Sequence, residues 1–173
     1  MLMDQSSRDV TLVGIGPPRP RPGEAVSQSS RDKRSKLSPG PVSWKEGRAI
    51  SVRLLLAEDT EHVRKMLVDI LSLHGFKIVA EAGDGEAAVK AVEAADPDVV
   101  VMDLKMPVLD GLEAARRIRS VRPDQQVILY SAYVDDVVEA RAREAGVAVC
   151  IPKMSGVEAL AREITAVAMD LAT

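Results

Sequence analysis

The chain has 173 residues, with 23 Lys or Arg against 26 Asp or Glu, two histidines and a single cysteine, a length that supports one domain with a sizeable core and room for a tail. The near-neutral balance hides an asymmetry: residues 1–50 hold nine basic and five acidic residues, and the remainder holds 14 and 21. A globular part this acidic argues against direct DNA binding, because affinity for nucleic acid comes largely from neutralising phosphates.

Cys150 has no partner for an internal disulfide, which fits a reducing compartment. No apolar run approaches the roughly 18 residues needed to cross a bilayer. Near the N-terminus Asp4, Arg8 and Asp9 break up any signal-peptide core, and prolines follow. These features predict a cytoplasmic protein without a membrane partner.

Residues 1–50 carry six of the ten prolines, together with serine and mixed charge. Such a segment buries too little apolar surface to offset the entropy of ordering it, so the expectation is a disordered leader over 1–50 and a folded domain over 51–173. The run Arg31 to Lys36 reads either as a solvated charge cluster or as a basic interaction arm. Trp44, the chain's one tryptophan, lies near the junction and reads either as a linker aromatic without a role or as a residue that packs on the domain's edge.

From Val52 onward apolar strands and amphipathic helices alternate, which predicts a parallel sheet with helical crossovers, a (βα)5 chain of the α/β class. The first strand, Val52 to Ala57, ends at the acid pair Glu58-Asp59. Helix one, about Glu61 to His74, places Val63, Met66, Leu67, Ile70 and Leu71 on one stripe, and Gly75 ends it. Strand two, Lys77 to Ala82, leads into Gly83-Asp84-Gly85, where Asp84 is a candidate N-cap. Helix two, about Gly85 to Ala95, buries mostly alanines and is expected among the looser elements.

Strand three is the uninterrupted run Val99-Val100-Val101-Met102, which reads as buried on both faces and stops at Asp103. Asp110 and Glu113 resemble a capping box for helix three. Strand four, Gln126 to Ser131, precedes helix four, Val134 to Ala145, stopped by Gly146. Strand five ends in Pro152-Lys153, and Ser155-Gly156-Val157-Glu158 reads as a capping box for a fifth helix carrying Val157, Leu160, Ala161, Ile164, Ala168 and Leu171 on one side.

In an open parallel α/β sheet, ligands bind outside the carboxyl ends of the strands. Glu58, Asp59 and Asp103 all fall at such ends, and three crowded carboxylates repel one another unless a cation joins them. Mg2+ is the natural choice, since it takes oxygen ligands, keeps waters and pairs with phosphate. Ser131 and Lys153, at the ends of two further strands, add a hydroxyl and an ammonium suited to a transferred phosphoryl group. Asp103 is then a candidate carboxylate nucleophile. His62 and His74 have no second ligand at useful spacing and read as ordinary helix residues.

The ordered set Glu58-Asp59, Asp103 with Met106-Pro107 and Gly111, Ser131-Ala132, and Lys153 resembles the receiver domain of two-component response regulators, over about Val52 to Leu171. The resemblance implies a flavodoxin-like receiver fold, with a five-stranded parallel sheet in the order 2-1-3-4-5 and helices on both faces. It implies that Asp103 accepts a phosphoryl group from a sensor histidine kinase or phosphotransfer protein. Asp59 and Asp103 would be direct Mg2+ ligands, Glu58 would act through water, and the carbonyl of Lys105 would complete the protein's share. Lys153 would pair with Asp103 and then bridge the phosphoryl oxygens, with Ser131 as the hydroxyl partner. Output would pass to a downstream protein through the face of helix four, strand five and helix five.

Two departures stand out. Receivers usually carry Tyr or Phe three residues before the lysine, where this chain has Cys150; Tyr133, two past Ser131, is a candidate substitute for that ring or a shield for the acyl phosphate. Pro152 precedes the lysine, which is tolerable on an edge strand, and with Met154 following Lys153 that bond is expected to be trans. Helix five reaches the C-terminus, so the expectation is a stand-alone receiver without a DNA-binding module and not an enzyme. The alternative is a receiver-like interaction module that acts without phosphorylation.

Overall fold

The computed structural model describes residues 51–170 together with three short strands before them, β1 (Val10–Leu12), β2 (Ser43–Lys45) and β3 (Arg48–Ile50). The alternating part runs β4 (Arg53–Ala57), α1 (Glu61–Leu73), β5 (Lys77–Ala82), α2 (Gly85–Ala95), β6 (Val99–Met102), α3 (Gly111–Val121), β7 (Gln126–Ser131), α4 (Asp136–Glu144), β8 (Val149–Pro152), a 3-10 turn (Lys153–Ser155) and α5 (Val157–Asp170). The five strands β5-β4-β6-β7-β8 are parallel in that spatial order, which is the expected 2-1-3-4-5 arrangement. The chain steps outward from β4 to β5 and then returns across β4 to β6. That reversal opens a crevice at the carboxyl ends of β4 and β6, where Glu58, Asp59 and Asp103 follow.

Side chains on a strand alternate between faces, so a sheet covered on both sides needs apolar residues at successive positions. Leu54 and Leu56 of β4 join Val99, Val101, Ile128 and Tyr130 in a layer closed by Leu67, Leu71, Leu160 and Ile164 of α1 and α5. Leu55, Val100, Val127 and Leu129 point the other way, into a layer closed by α2, α3 and Ala142 of α4. Every residue of β4 and of β6 is buried, which holds the two strand ends of the crevice in fixed relation.

Helix boundaries follow local chemistry. Asp84, Asp110 and Asp135 each accept a backbone N–H three residues on, from Ala87, Glu113 and Val138. Gly75, at φ 87, closes α1 in a left-handed turn, with its own N–H given to Ser72 and that of Phe76 to Leu71. No cis peptide occurs among the described residues, so the Lys153–Met154 bond is trans. Also among the described residues, no helix is long and apolar enough to cross a membrane.

Several expectations need correction. Met66 is 47% exposed, because it lies about 100° round the helix from Leu67 and falls outside the buried arc that Leu67 and Leu71 define. The cap of α5 is Gly156, whose carbonyl accepts from Leu160, while Ser155 belongs to the preceding 3-10 turn. The loosely packed helix is α4, where only Ala142 is buried; α2 buries six residues, since alanines let it sit close to the sheet. Separately from these corrections, β1 pairs antiparallel with β5, Val10 opposite Ala82 and Leu12 opposite Ala80, and β2 pairs antiparallel with β3. The triplet Val10-Thr11-Leu12, with two β-branched residues, suits the open edge of β5. The Arg31 to Lys36 run, the packing of the Trp44 side chain and Leu171 lie outside the described residues.

Candidate functional site

The end of β6 delivers Asp103 into the crevice. Its N–H donates to the Ala57 carbonyl at 2.9 Å, which ties it to the end of β4, and its Oδ1 accepts from the Leu104 N–H at 2.8 Å. The residue is 8% exposed. The chain then turns back over it: Gly111 N–H donates to the Leu104 carbonyl at 2.9 Å, and a Cβ at position 111 would collide with the Asp103 carbonyl oxygen. The glycine in the quoted motif is therefore required by this close approach. Between them Val108 adopts φ 66, a sterically costly conformation for a β-branched residue, in a tight turn closed by the Leu109 N–H on the Pro107 carbonyl at 2.7 Å.

Glu58 follows β4 with its N–H on the Ala82 carbonyl at 3.0 Å, and it is only 3% exposed. Asp59 is exposed, with Oδ1 accepting from Thr60 Oγ1 at 3.3 Å. One carboxylate oxygen from each of Glu58, Asp59 and Asp103 lies within 4.8 Å of the others. Lys153 reaches in from the end of β8, its Nζ 2.7 Å from Glu58 Oε2 and 3.4 Å from Asp103 Oδ2. The sequence reading pairs Lys153 with Asp103; the structure places it between two acids and nearer to Glu58. Burial pushes this ammonium down, but the hydrogen bond to Glu58 and the fields of Asp103 and Glu58 outweigh it, so its pKa is raised and it stays charged. Three acids against one ammonium leave two formal negative charges in excess, which one divalent cation balances, and all three groups are the hard oxygen donors Mg2+ takes.

Ser131 is 1% exposed at the end of β7, and its Oγ accepts from the Tyr133 N–H at 3.3 Å. Lys105, two residues past Asp103, holds its Nζ 3.6 Å from the centroid of the Tyr133 ring, joining the loops after β6 and β7. Cys150 is half-buried in β8, packed on the layer that α2 and α3 close, and burial pushes its thiol up. Two contributors escape the sequence reading. Tyr130 donates its hydroxyl to the Lys153 carbonyl at 3.3 Å, and Arg64 Nη1 donates to the Glu58 carbonyl at 2.6 Å. A tyrosine inside an otherwise aliphatic strand signals a needed polar partner, whereas an arginine on the first turn of a helix carries no such mark.

Residues 54–165 match the family described as response regulator receiver domain. The transcriptional regulatory protein PdtaR of Mycobacterium tuberculosis is 40% identical over 135 residues, covering 72% of this chain and 65% of that protein, so the chain spans just under two thirds of this relative's length. The chemotaxis protein CheY of Bacillus subtilis is 36% identical over 97 residues, 53% of this chain and 81% of its own. Among solved structures, response regulator protein TrrA from Thermotoga maritima in complex with Mg(2+)-BeF superposes with a TM-score of 0.61 at 28% identity, covering 67% of this chain and 98% of that one. The chain belongs to the response regulator receiver domain family of two-component signalling.

Proposed function

We propose that this protein is a phospho-accepting receiver that takes a phosphoryl group on Asp103 from the phosphohistidine of a sensor histidine kinase or phosphotransfer protein. The observation that carries the reading is the convergence of Glu58, Asp59 and Asp103 beside Lys153 at the reversal point of the sheet. An Asp103 carboxylate oxygen attacks phosphorus and forms an acyl phosphate, while the phosphorus–nitrogen bond breaks and its electron pair leaves with the donor imidazole. Asp59, Asp103 and the Lys105 carbonyl would hold Mg2+ directly and Glu58 through water. When bound, that ion neutralises charge developing on the phosphoryl oxygens. Lys153 screens the same oxygens from the other side, and the Ser131 hydroxyl donates to one of them. A cleft of about 520 Å3, bounded by Lys105, Met106 and Arg141, lies beside Asp59.

The domain division follows the same reading, with residues 51–173 as the receiver and 1–50 as a leader. Signalling is cytoplasmic and runs by protein contact through the face of α4, β8 and α5, without direct DNA binding and without turnover of a substrate. The Mg(2+)-BeF complex of TrrA supports the metal and phosphoryl assignments by likeness. A second reading, an interaction module that works without phosphate, is favoured by one observation: a half-buried thiol occupies the place of the switch ring. Incubation of the full chain with acetyl phosphate and Mg2+, read by intact mass, separates the two. One added phosphoryl group that chelation prevents and Asp103→Ala abolishes is the expected result. An unlabelled wild-type protein supports the second reading instead.

A further inference from the structure

Arg64 lies on the first turn of α1, and the phosphoryl chemistry above makes no use of it. Besides its 2.6 Å hydrogen bond to the Glu58 carbonyl, its Nε is 3.4 Å from Glu81 Oε2, with the two side chains 14% and 20% exposed. Glu81 is on β5 immediately before Ala82, whose carbonyl accepts the Glu58 N–H at 3.0 Å. The backbone of Glu58 is thus gripped from both sides by one strand: its N–H directly, and its carbonyl through a guanidinium that the strand anchors.

That carbonyl belongs to the rigid peptide plane joining Glu58 to Asp59. A rotation of the plane swings Asp59, an exposed residue whose carboxylate otherwise touches Thr60 Oγ1 at 3.3 Å. A planar guanidinium satisfies a carbonyl and a carboxylate at once in fixed directions, which an ammonium does not. We propose that Arg64, locked by Glu81, is a positioning residue that fixes the Glu58–Asp59 peptide and aims the Asp59 carboxylate at the cation site. This rests on the reading of Asp59 as a direct metal ligand. Charge alone argues the opposite sign, because a cation close to three acids weakens the attraction for a divalent ion.

The opposed signs make the test decisive. The full chain and its Arg64→Gln, Arg64→Lys and Glu81→Gln variants are compared by backbone 15N relaxation without metal and by calorimetric Mg2+ titration, with thermal unfolding followed alongside. In Arg64→Gln the amides of Asp59 and Thr60 lose order while the rest of the sheet keeps it, and Mg2+ binding weakens by about tenfold, the lower end for loss of an outer-shell partner. Arg64→Lys recovers part of both losses, and it is the variant measured if Arg64→Gln does not fold. Glu81→Gln shows a smaller loss of the same kind. Mg2+ binding by Arg64→Gln as tight as wild type or tighter overturns the proposal, as does unchanged order at Asp59 and Thr60. A wild-type protein that takes no Mg2+ overturns the metal reading instead, and the metal-free relaxation still decides whether Arg64 holds the peptide.

Discussion

At the scale of single residues the site turns on one ammonium shared by two buried acids. Replacing Lys153 with Met takes the ammonium from Oε2 of Glu58, which is 3% exposed, and leaves its Oε1 with the Thr60 N–H at 3.3 Å. The expected loss of stability without Mg2+ is about 1–3 kcal/mol, the cost of leaving a buried carboxylate oxygen unsatisfied. Urea unfolding checks this, and an unchanged midpoint contradicts the pairing. The pH dependence has a definite sign. Lys153 is raised above its ordinary value of 10.5, so its stabilising contribution is complete below that pH and disappears as pH rises through the raised value. The alkaline decline of wild type should therefore be steeper than that of Lys153→Met. Tyr133 is 58% exposed under the Lys105 ammonium, a contact worth about 0.5–1 kcal/mol at such a site. Its removal is expected to shorten the lifetime of the acyl phosphate, by opening the acids to water, while the fold stays intact.

At the scale of elements, α4 is the part with least to hold it, nine residues with only Ala142 buried. Its amides should exchange fastest among the helices α1 to α4, ahead of α2, contrary to a reading from alanine content. Phosphorylation should alter exchange strongly in the loop after β7 and in α4 but weakly in α5, because no ring at position 150 swings between two packings. Cys150→Tyr should extend the response to α5. A large wild-type response in α5 that Tyr133→Ala removes would instead make Tyr133 the relay.

The same elements show what was legible beforehand. The apolar runs before Glu58, Asp103 and Ser131 announce buried strands, and acids at their ends announce the crevice, since one periodicity fixes both. Met66 departs from its expected burial because helical spacing gives the centre of a buried arc better than its rim. The Glu58–Lys153 pair joins residues 95 positions apart, so its preference over Asp103 is a tertiary outcome that no local pattern encodes. The grip of Arg64 on a backbone carbonyl is equally silent, because a carbonyl has no letter in the sequence.

At the scale of the whole molecule, residues 1–50 hold nine basic and five acidic residues, the remainder holds 14 and 21, and the family match covers residues 54–165. Deleting residues 1–50 removes β1 from the edge of β5 and the hairpin β2–β3. The few edge hydrogen bonds lost are worth about 1–3 kcal/mol in total. Unfolding should stay cooperative and phosphorylation should proceed as in the full chain. Loss of cooperative folding in the truncated protein would mean that the domain does not begin at residue 51. The central claim is that Asp103 is the acceptor, and trapping tests it most directly. After incubation with acetyl phosphate and Mg2+, borohydride reduces an aspartyl phosphate to homoserine, and peptide mass spectrometry locates the change. Homoserine at position 103, absent when Mg2+ is chelated, is the predicted result; homoserine at another position, or none with Mg2+ present, would contradict it.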